Sequence, residues 1–556
     1  MKILLTTLNT KYIHSNLALK YLYESAGIYR DLLEIKEFTI NNDDMSVYME
    51  IMRGGYDAVC FSCYIWNISR IEGLIKDIKR SDPEIKIIVG GPEVSYDSEE
   101  LLNRVPEIDL VIRGEGDKVF CGVVEMLAEG VRDFGERIIT GSPAEPDAIS
   151  FPYTSSDPDP DKIVYYESAR GCPYSCSFCL SSVSRGVRLF PMERVKKELE
   201  YFLERKVRQV KFVDRTFNVD TERAAEIMKF LIENDNGVTN FHFELCGDRI
   251  SDEMLEAFET AREGLFQVEI GVQSAHDRVL EACRRKVDFE KLKKNTLKIL
   301  SGRNVHVHLD LIAGLPYETF ADFGDSFNQV YELGPDDLQL GFLKLLKGTE
   351  IRNRADEHGY IFREREPYEV ISNKYISAEE IIRLKMIENV LELYYNKPGF
   401  RSTLKYMIES SGKTPFEFYE DLAVFYYEEG YHAASQSKNG LYDILRKYIE
   451  KSGCGLNEGL KELLLYDRIS VASPSSFSDR EYSDRVHEYL RSDSGGEGEG
   501  NSSKVLIKKV NYMAFEYNVD EFAAYGTELR KTGGKRLLVF YPGIKDAGGR
   551  ALCRRI

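Results

Sequence analysis

The sequence predicts an α/β protein in three parts: a doubly wound parallel sheet, a partial (β/α)6 barrel and a mostly helical C-terminal region. Up to about residue 140, short apolar runs alternate with amphipathic helical stretches, which is typical of a parallel sheet covered by helices. From residue 163 on, six strand candidates alternate with helices. Beyond about residue 365 the pattern changes to long amphipathic stretches rich in Tyr, Leu and Glu.

The first part is expected to be a Rossmann-like sheet. Its strand candidates are residues 2–8, 58–64, 85–89 and 108–112. One helix is expected over residues 16–26, and another is expected to begin at a capping box formed by Ser69 and Glu72. Ligands of doubly wound sheets lie beyond the carboxyl ends of the strands. The segments after the last two strand candidates are therefore candidate binding loops, and they hold Gly90, Gly91, Pro92, Gly114 and Glu115.

Two segments are expected to be linkers. Five prolines lie between Pro143 and Pro160, and a Gly- and Ser-rich stretch follows Asp493. The expected parts are a sheet domain at 1–142, a linker at 143–161, a barrel at 162–365, a helical domain at 366–490, a flexible linker at 491–503 and a small basic segment at 504–556.

The second part is expected to be a partial TIM-type barrel. Its six strand candidates are residues 163–169, 208–214, 240–246, 266–272, 305–312 and 337–343. Active-site loops of such barrels lie at the carboxyl ends of the strands, so the loop after the first strand candidate is placed at the active face.

That loop holds Cys172, Cys176 and Cys179 in a C-x-x-x-C-x-x-C spacing. A four-iron cluster takes one protein ligand per iron, so three cysteines leave one iron open to a small molecule. A structural zinc site would need a fourth Cys or His nearby, and none follows in this stretch. The spacing therefore predicts a 4Fe-4S cluster with an open coordination position.

Composition excludes several other classes. Ten cysteines are too few for a disulfide scaffold in 556 residues, and Cys60 and Cys63 are expected to be buried structural thiols on opposite faces of a strand. The net charge of −18 disfavours a general nucleic-acid binder. No apolar run has the length of a membrane span and no leader is recognised, so we expect a cytoplasmic protein without membrane contact.

The cysteine spacing, with Phe178 before the last cysteine, resembles the cluster motif of the radical SAM enzymes. The resemblance implies that S-adenosylmethionine (SAM) chelates the open iron, and that one electron, from a reductant such as flavodoxin or ferredoxin, cleaves it. It also implies SAM contacts beside the cluster and at strand ends, namely Phe178, Asp214, Glu244, Gln273, Ser274 and Gly314. The family turn Gly-Leu-Pro-Gly-Glu-Thr is matched from Gly314 on, with Tyr317 in place of its second glycine.

The N-terminal sheet resembles the cobalamin-binding module, which carries an Asp-x-His-x-x-Gly loop, a later serine and a Gly-Gly pair. This chain has Ser62 and the glycine pair, but around His14 it has Tyr12 for Asp and Leu17 for Gly. A metal-bound imidazole is normally oriented by a carboxylate partner, so His14 is expected to be a packing residue rather than the lower cobalt ligand. The cobalamin contacts implied are Ser62, Gly90, Gly91, Pro92, Gly114 and Glu115, with His14 as the candidate axial ligand.

Residues 1–365 thus resemble the cobalamin-binding radical SAM family, and the helical remainder resembles an extension found in one branch of it. This resemblance implies methyl transfer from methylcobalamin to an unactivated carbon of a small-molecule or peptide substrate. The alternatives are a cobalamin-assisted rearrangement or cyclisation, a methylthiotransferase, and a non-catalytic cobalamin sensor or electron-transfer module. A methylthiotransferase would need three more cluster cysteines in the first domain, and Cys60, Cys63 and Cys121 lack the expected loop placement.

Overall fold

A computed structural model of the 556-residue chain describes residues 1–155, 157–183, 186–452, 457–493, 509–545 and 549–556. The first part is a parallel sheet of six strands in the order β2-β1-β3-β4-β5-β6. Its strands are β1 Ile3–Asn9, β2 Leu33–Thr39, β3 Ala58–Ser62, β4 Lys86–Gly90, β5 Leu110–Gly114 and β6 Ile138–Gly141. Its helices are α1 Leu17–Ser25, α2 Asp44–Arg53, α3 Ile68–Ser81, α4 Ser98–Arg104 and α5 Phe120–Ala128.

Helices cover both faces of this sheet, as predicted. Val59 and Phe61 of β3 pack in one apolar cluster, whereas Ala58 and Cys60 pack in the cluster on the other face, because successive side chains of a strand alternate in direction. Cys63, just after β3, belongs to the first cluster and is fully buried. The expectation that Cys60 and Cys63 are buried thiols on opposite faces is confirmed.

The second part is a parallel sheet in the order β14-β13-β12-β11-β10-β7, which is the half-barrel that the sequence predicts. Its strands are β7 Val164–Tyr166, β10 Gln209–Phe212, β11 Asn240–Leu245, β12 Phe266–Gln273, β13 His306–Ala313 and β14 Asp337–Phe342. The helices between them are α6 Met192–Glu204, α7 Thr221–Glu233, α8 Asp252–Thr260, α9 Asp277–Ala282, α10 Phe289–Gly302 and α11 Phe320–Glu332. A short antiparallel hairpin, β8 Ala169–Cys172 and β9 Gly186–Leu189, follows β7.

The C-terminal region is mostly helical and ends in a small sheet that the sequence did not predict. Its helices are α12 Glu350–Asn353, α13 Ala355–His358, α14 Ala378–Tyr394, α15 Arg401–Ser411, α16 Pro415–Glu428, α17 Lys438–Lys451, α18 Glu458–Ser470, α19 Ser483–Asp493 and α20 Val519–Tyr525. Its strands are β15 Ile361–Phe362, β16 Val370–Ser372, β17 Asn511–Tyr517, β18 Lys531–Lys545 and β19 Ala551–Arg555, and the last three form an antiparallel sheet.

Three further expectations have different outcomes in the structure. The capping box at Ser69 and Glu72 is wrong, because α3 already begins at Ile68 after Asn67. The flexible linker expected at 491–503 lies, apart from the end of α19, outside the described residues. Within the described part of the chain, no helix combines the length and the apolar character needed to cross a membrane. The remaining domain boundaries stay predictions.

Candidate active site

The hairpin β8–β9 carries the three motif cysteines at the carboxyl end of β7. Gly171 adopts a left-handed conformation (φ 94°), and a Cβ there would lie 2.1 Å from the carbonyl oxygen of Gly186, so this turn requires glycine. The loop is held from two sides: the Ser177 N–H donates to the Cys283 carbonyl at 2.9 Å, and the Ser177 carbonyl accepts from the Ile351 N–H at 2.9 Å. The cysteines therefore lie on a braced loop at the active face.

The three thiols are close enough to affect one another's ionisation. Burial raises the pKa of Cys176, the guanidinium of Arg285 lowers it, and the thiols of Cys179 and Cys172 raise it again. Arg285 donates to the Cys176 sulfur at 3.9 Å. Among the described residues, no three Cys, His, Asp or Glu side chains form a ready metal site. The three thiols are nevertheless a donor set that suits an iron-sulfur cluster, which is wider than a single metal ion.

A small polar chamber of about 190 Å³ lies next to this loop. Cys172 lies 3.8 Å from the hydroxyl of Thr216, which lines the chamber. The other charged or polar groups of the lining are Tyr174, Arg215, Glu244, Glu269, Gln273, Arg285 and Asp310. Such a wall of both charge signs suits a small zwitterionic group.

Ion pairs inside the barrel fix several of these carboxylates. Glu269 lies 3.2 Å from the Lys211 ammonium and 3.4 Å from Nε2 of His242. The nearby His242 imidazole lowers the pKa of Glu269 to about 2, against the effect of burial. Glu244 differs, because burial and then the charge of Glu269 raise its pKa. The two neighbouring carboxyl groups thus have pKa values shifted in opposite directions, that of Glu269 lowered and that of Glu244 raised.

A second chamber of about 410 Å³ adjoins the first, and Glu269, Gln273 and Asp310 line both. Phe178 of the cluster loop also lines it. At Gln273 the register of β12 against β13 shifts, and the residue has a φ of 72°. Bulges and strained residues of this kind are common where a side chain is aimed at a site. The buried Oε1 of Gln273 has no hydrogen-bond partner among the described residues.

The expected SAM contacts divide into two groups. Phe178, Glu244 and Gln273 line these chambers. Asp214 does not: it is 2% exposed and accepts hydrogen bonds from the N–H groups of Ser168 and Ala169 at 2.7 and 3.3 Å. It therefore braces the strand that leads into the cluster loop.

Ser274 and Gly314 do not line the chambers either. Ser274 is fully buried, and its hydroxyl oxygen accepts from the His276 N–H at 3.3 Å. The Gly314 carbonyl accepts from the Tyr360 hydroxyl at 2.9 Å, so the C-terminal region covers this turn. Tyr317, which replaces the family's glycine, keeps a left-handed φ of 64°. The expectation that Ser274 and Gly314 contact SAM therefore gains no support from the lining of the chambers.

A third cavity, of about 470 Å³, lies between the N-terminal sheet and the barrel. The sheet side includes all six residues expected to contact cobalamin through the loops: Ser62, Gly90, Gly91, Pro92, Gly114 and Glu115. The cavity continues inward between α1 and α5, past Leu22, Ile112 and Phe120. The barrel side includes Arg170, Arg188 and Arg215. The cavity therefore joins a deep apolar slot to a charged mouth.

Ion pairs join the two domains at this mouth. Arg170, two residues before Cys172, lies 2.9 Å from Asp117 and 3.3 Å from Glu115. Burial raises the pKa of Glu115, but hydrogen bonds from Arg188 and the Ala144 N–H outweigh it and leave this pKa lowered. The N-terminal sheet is thus fixed directly against the segment that leads into the cluster loop.

His14 is not among the residues that line this cavity. Its Nδ1 lies 2.7 Å from the hydroxyl of Tyr165 on β7, so the imidazole contributes to the contact between the domains. This placement agrees with a packing role and gives no support to His14 as an axial cobalt ligand.

Three family models match the chain. The B12 binding domain matches residues 3–124, and the Radical SAM superfamily matches residues 166–330. Together these two matches cover just over half of the chain. The chain belongs to the B12-binding radical SAM proteins. A family described as protein of unknown function (DUF4080) matches residues 356–539, which is most of the C-terminal region.

Individual B12-binding radical SAM proteins share less than a third of their aligned residues with this chain. The 2-(S-pantetheinyl)-carbapenam-3-carboxylate methyltransferase of Streptantibioticus cattleyicolor is 28% identical over 342 residues, which are 55% of this chain and 50% of that protein. The chain thus spans about half the length of the curated relatives that it matches.

Two solved structures share the fold at lower identity. The methyltransferase TsrM from Kitasatospora setae, with cobalamin and a [4Fe-4S] cluster bound, has a TM-score of 0.54 at 16% identity, over 65% of this chain and 76% of that one. The enzyme OxsB, with aqua-cobalamin and SAM bound, has a TM-score of 0.55 at 13% identity, over 91% and 83%.

Several residues of the site were not predicted from the sequence. Arg170 carried a signal, since it stands two residues before the first motif cysteine. Arg215 carried a similar one, at the end of β10. Arg285 and Asp310 come from distant points of the chain, and only the folded half-barrel brings them to the chamber beside the cluster loop.

Proposed function

We propose that this chain is a cobalamin-dependent radical SAM enzyme that transfers a methyl group to an unactivated carbon. In this proposal Cys172, Cys176 and Cys179 hold a 4Fe-4S cluster, and the cavity at Gly90 and Gly91 holds cobalamin. When bound, the cluster would supply the electron that cleaves SAM, and cobalamin would carry the methyl group. The names of the carbapenam methyltransferase and TsrM point to the same reaction class.

The observation that carries this proposal is the meeting of two cavities at Arg215. Arg215 lines both the cavity on the N-terminal sheet and the small chamber beside the cluster loop. Methyl transfer to a carbon radical needs the methyl donor and the radical source to face one substrate. A residue shared by both cavities marks the place where that substrate would lie.

The side chains around this place are suited to binding and to excluding water. Arg215 can hold an anionic group of the substrate, because guanidinium groups pair well with carboxylates and phosphates. The ion pairs of Arg170 with Asp117 and of Lys211 with Glu269 close the walls on either side. A closed wall matters because a stray hydrogen donor would quench a radical.

The test is product analysis with anaerobically reconstituted protein and a one-electron reductant such as flavodoxin or ferredoxin. We expect 5′-deoxyadenosine and S-adenosylhomocysteine to form together with substrate, because one SAM supplies the radical and another the methyl group. A variant with Cys172, Cys176 and Cys179 replaced by Ala should lose iron and both products. The matched control, Cys60→Ala with Cys63→Ala, should keep the iron, because these thiols lie inside the sheet.

Other product patterns would contradict methyl transfer and favour one of the alternative functions. Formation of 5′-deoxyadenosine and modified substrate without S-adenosylhomocysteine would indicate a rearrangement or cyclisation. A methylthiotransferase is disfavoured, because Cys60 and Cys63 point to opposite faces of the sheet and Cys121 lies in α5. If the loaded, reduced protein does not cleave SAM at all, the chain is a sensor or electron-transfer module instead.

A further inference from the structure

Helix α14 of the C-terminal region forms one wall of the larger chamber. The half-barrel ends at the edge strand β14, and α14 packs beside that strand, with the Lys385 ammonium 3.5 Å from the ring centre of Phe342. Lys385 and Glu388 of this helix line the chamber together with Glu369. The chamber thus includes side chains from outside the barrel.

The volumes of the chambers indicate what this wall faces. A ligand of drug size occupies a pocket of roughly 300–1,000 Å³, whereas the chamber beside the cysteines has only about 190 Å³. A SAM molecule whose amino-acid end lies at the cluster must therefore extend into a neighbouring space. The larger chamber shares three lining residues with the small one, whereas the cobalamin cavity shares only Arg215.

Two features at the junction of the chambers point to a bound ligand. The side-chain amide oxygen Oε1 of Gln273 is buried without a hydrogen-bond partner among the described residues. Such buried oxygens are rare unless a ligand or water donates a hydrogen bond to them. Phe178 offers an aromatic ring in the larger chamber, on which a base can stack. A ligand that passes from the small chamber into the larger one would contact both residues.

Two charged groups of α14 differ in their partners. Lys385 is paired with Glu369 at 2.9 Å, whereas Glu388, one turn further on the same face, has no ion-pair partner within the described part of the chain. Burial raises the pKa of Glu388, and the Lys385 ammonium partly offsets this effect. A half-buried carboxyl group without a partner is suited to accept hydrogen bonds from a ligand.

We propose that α14 completes the chamber for the adenosyl end of SAM, with Glu388 accepting hydrogen bonds from its amino or hydroxyl groups. This inference rests on the proposed function, because it takes SAM as the ligand of the chamber. It assigns the C-terminal region a direct part in cofactor binding, beyond covering the barrel.

The test measures SAM binding to the full-length, cluster-loaded and unreduced protein by equilibrium dialysis with radiolabelled SAM. Glu388→Leu keeps most of the side-chain volume and removes the acceptor, so we expect its dissociation constant to rise at least tenfold. Lys385→Met should weaken binding as well, because it removes the cation beside Glu388. Glu392→Leu is the matched control: Glu392 lies one turn further along α14, where its carboxylate accepts from Asn396 at 2.7 Å and does not line the chamber.

Iron content, measured on each variant, shows whether the cluster loop is intact. Wild-type affinity in Glu388→Leu would overturn the inference, and a loss of turnover with unchanged SAM binding would do so too, since α14 would then face the substrate. A wild-type protein that binds no SAM would overturn the proposed function itself. The two failures are thus distinguishable.

Discussion

At the scale of single residues, the adjacent glycines at the end of β4 differ in how much space surrounds them. Gly91 has a φ of 109°, and a Cβ on it would lie 2.5 Å from the Cys63 carbonyl oxygen, so the fold itself requires glycine there. A Cβ on Gly90 would meet nothing closer than 3.5 Å, at the Ile112 carbonyl. Both residues line the cavity on the sheet, but only Gly90 can be changed without disturbing the backbone.

Gly90→Leu therefore tests cobalamin binding and Gly91→Ala tests folding. The side chain of Gly90→Leu would extend from beside Ile112, which also lines the cavity, so we expect at least a tenfold loss of cobalamin affinity at a nearly unchanged melting temperature. Gly91→Ala should reduce the free energy of unfolding by about 1–3 kcal/mol, because alanine is strained in this backbone conformation. Its melting temperature should fall accordingly. The two are read by absorbance of bound cobalamin and by thermal unfolding. Full cobalamin retention in Gly90→Leu would contradict the placement of cobalamin in this cavity.

At the scale of elements, the sequence predicts helices and strands correctly where a single periodic pattern of apolar residues runs through them. It fails where contacts with distant residues decide the local structure. The barrel strands were predictable because apolar and polar residues alternate along most of them, and in β12 and β13 every second residue is buried. The edge strands β2 and β6 were not predicted; in β2, Leu33–Thr39, the alternation of apolar and charged residues that indicates a strand is broken by the adjacent Lys36 and Glu37. In the site, the motif cysteines and the glycine pair were predictable from local spacing. Arg285 and Glu388 were not, because only the tertiary structure brings them to the chambers.

The start of α3 shows the same limit and supports a prediction. The side chain of Asn67 is 1% exposed; it accepts from the Tyr64 N–H at 2.8 Å and donates to Leu8 and Ser62 carbonyls at 3.2 Å. It therefore ties the start of the helix to the ends of β1 and β3, whereas the sequence predicted that the helix begins at a capping box of Ser69 and Glu72.

Asn67→Ala should destabilise the protein by about 1–3 kcal/mol, because the Leu8 and Ser62 carbonyls and the Tyr64 N–H lose a buried partner. Ser69→Ala, in the same helix, should have little effect, since the helix already begins at Ile68. Thermal unfolding of the two variants compares them directly. Equal loss of stability in both would restore Ser69 as the residue that starts this helix.

At the scale of the whole molecule, a buried ion cluster holds the N-terminal sheet against the barrel. The Lys347 ammonium, in the segment after β14, lies 2.8 Å from both Glu93 and Asp97, which follow the loop of Gly90 and Gly91. Burial lowers the pKa of Lys347, but the hydrogen bonds with Asp97 and Glu93 outweigh it and leave the pKa raised. Salt screens such a cluster only weakly, so it should hold the proposed cobalamin cavity in place against the barrel at physiological ionic strength.

Lys347→Met should therefore weaken cobalamin binding in the proposed cavity and leave the cluster loop unchanged. Removing one partner of a buried ion pair costs about 3–5 kcal/mol, because Glu93 and Asp97 keep their charges in a dry contact. Since a ligand stabilises the folded state more when it binds more tightly, we expect hydroxocobalamin to raise the melting temperature of the wild type more than that of Lys347→Met. Iron content should be equal in both proteins, and Lys298→Met, at an exposed position of α10, should behave like the wild type. An undiminished cobalamin shift in Lys347→Met would mean that the loop after β4 holds its position without the barrel, and that the two domains bind their cofactors independently.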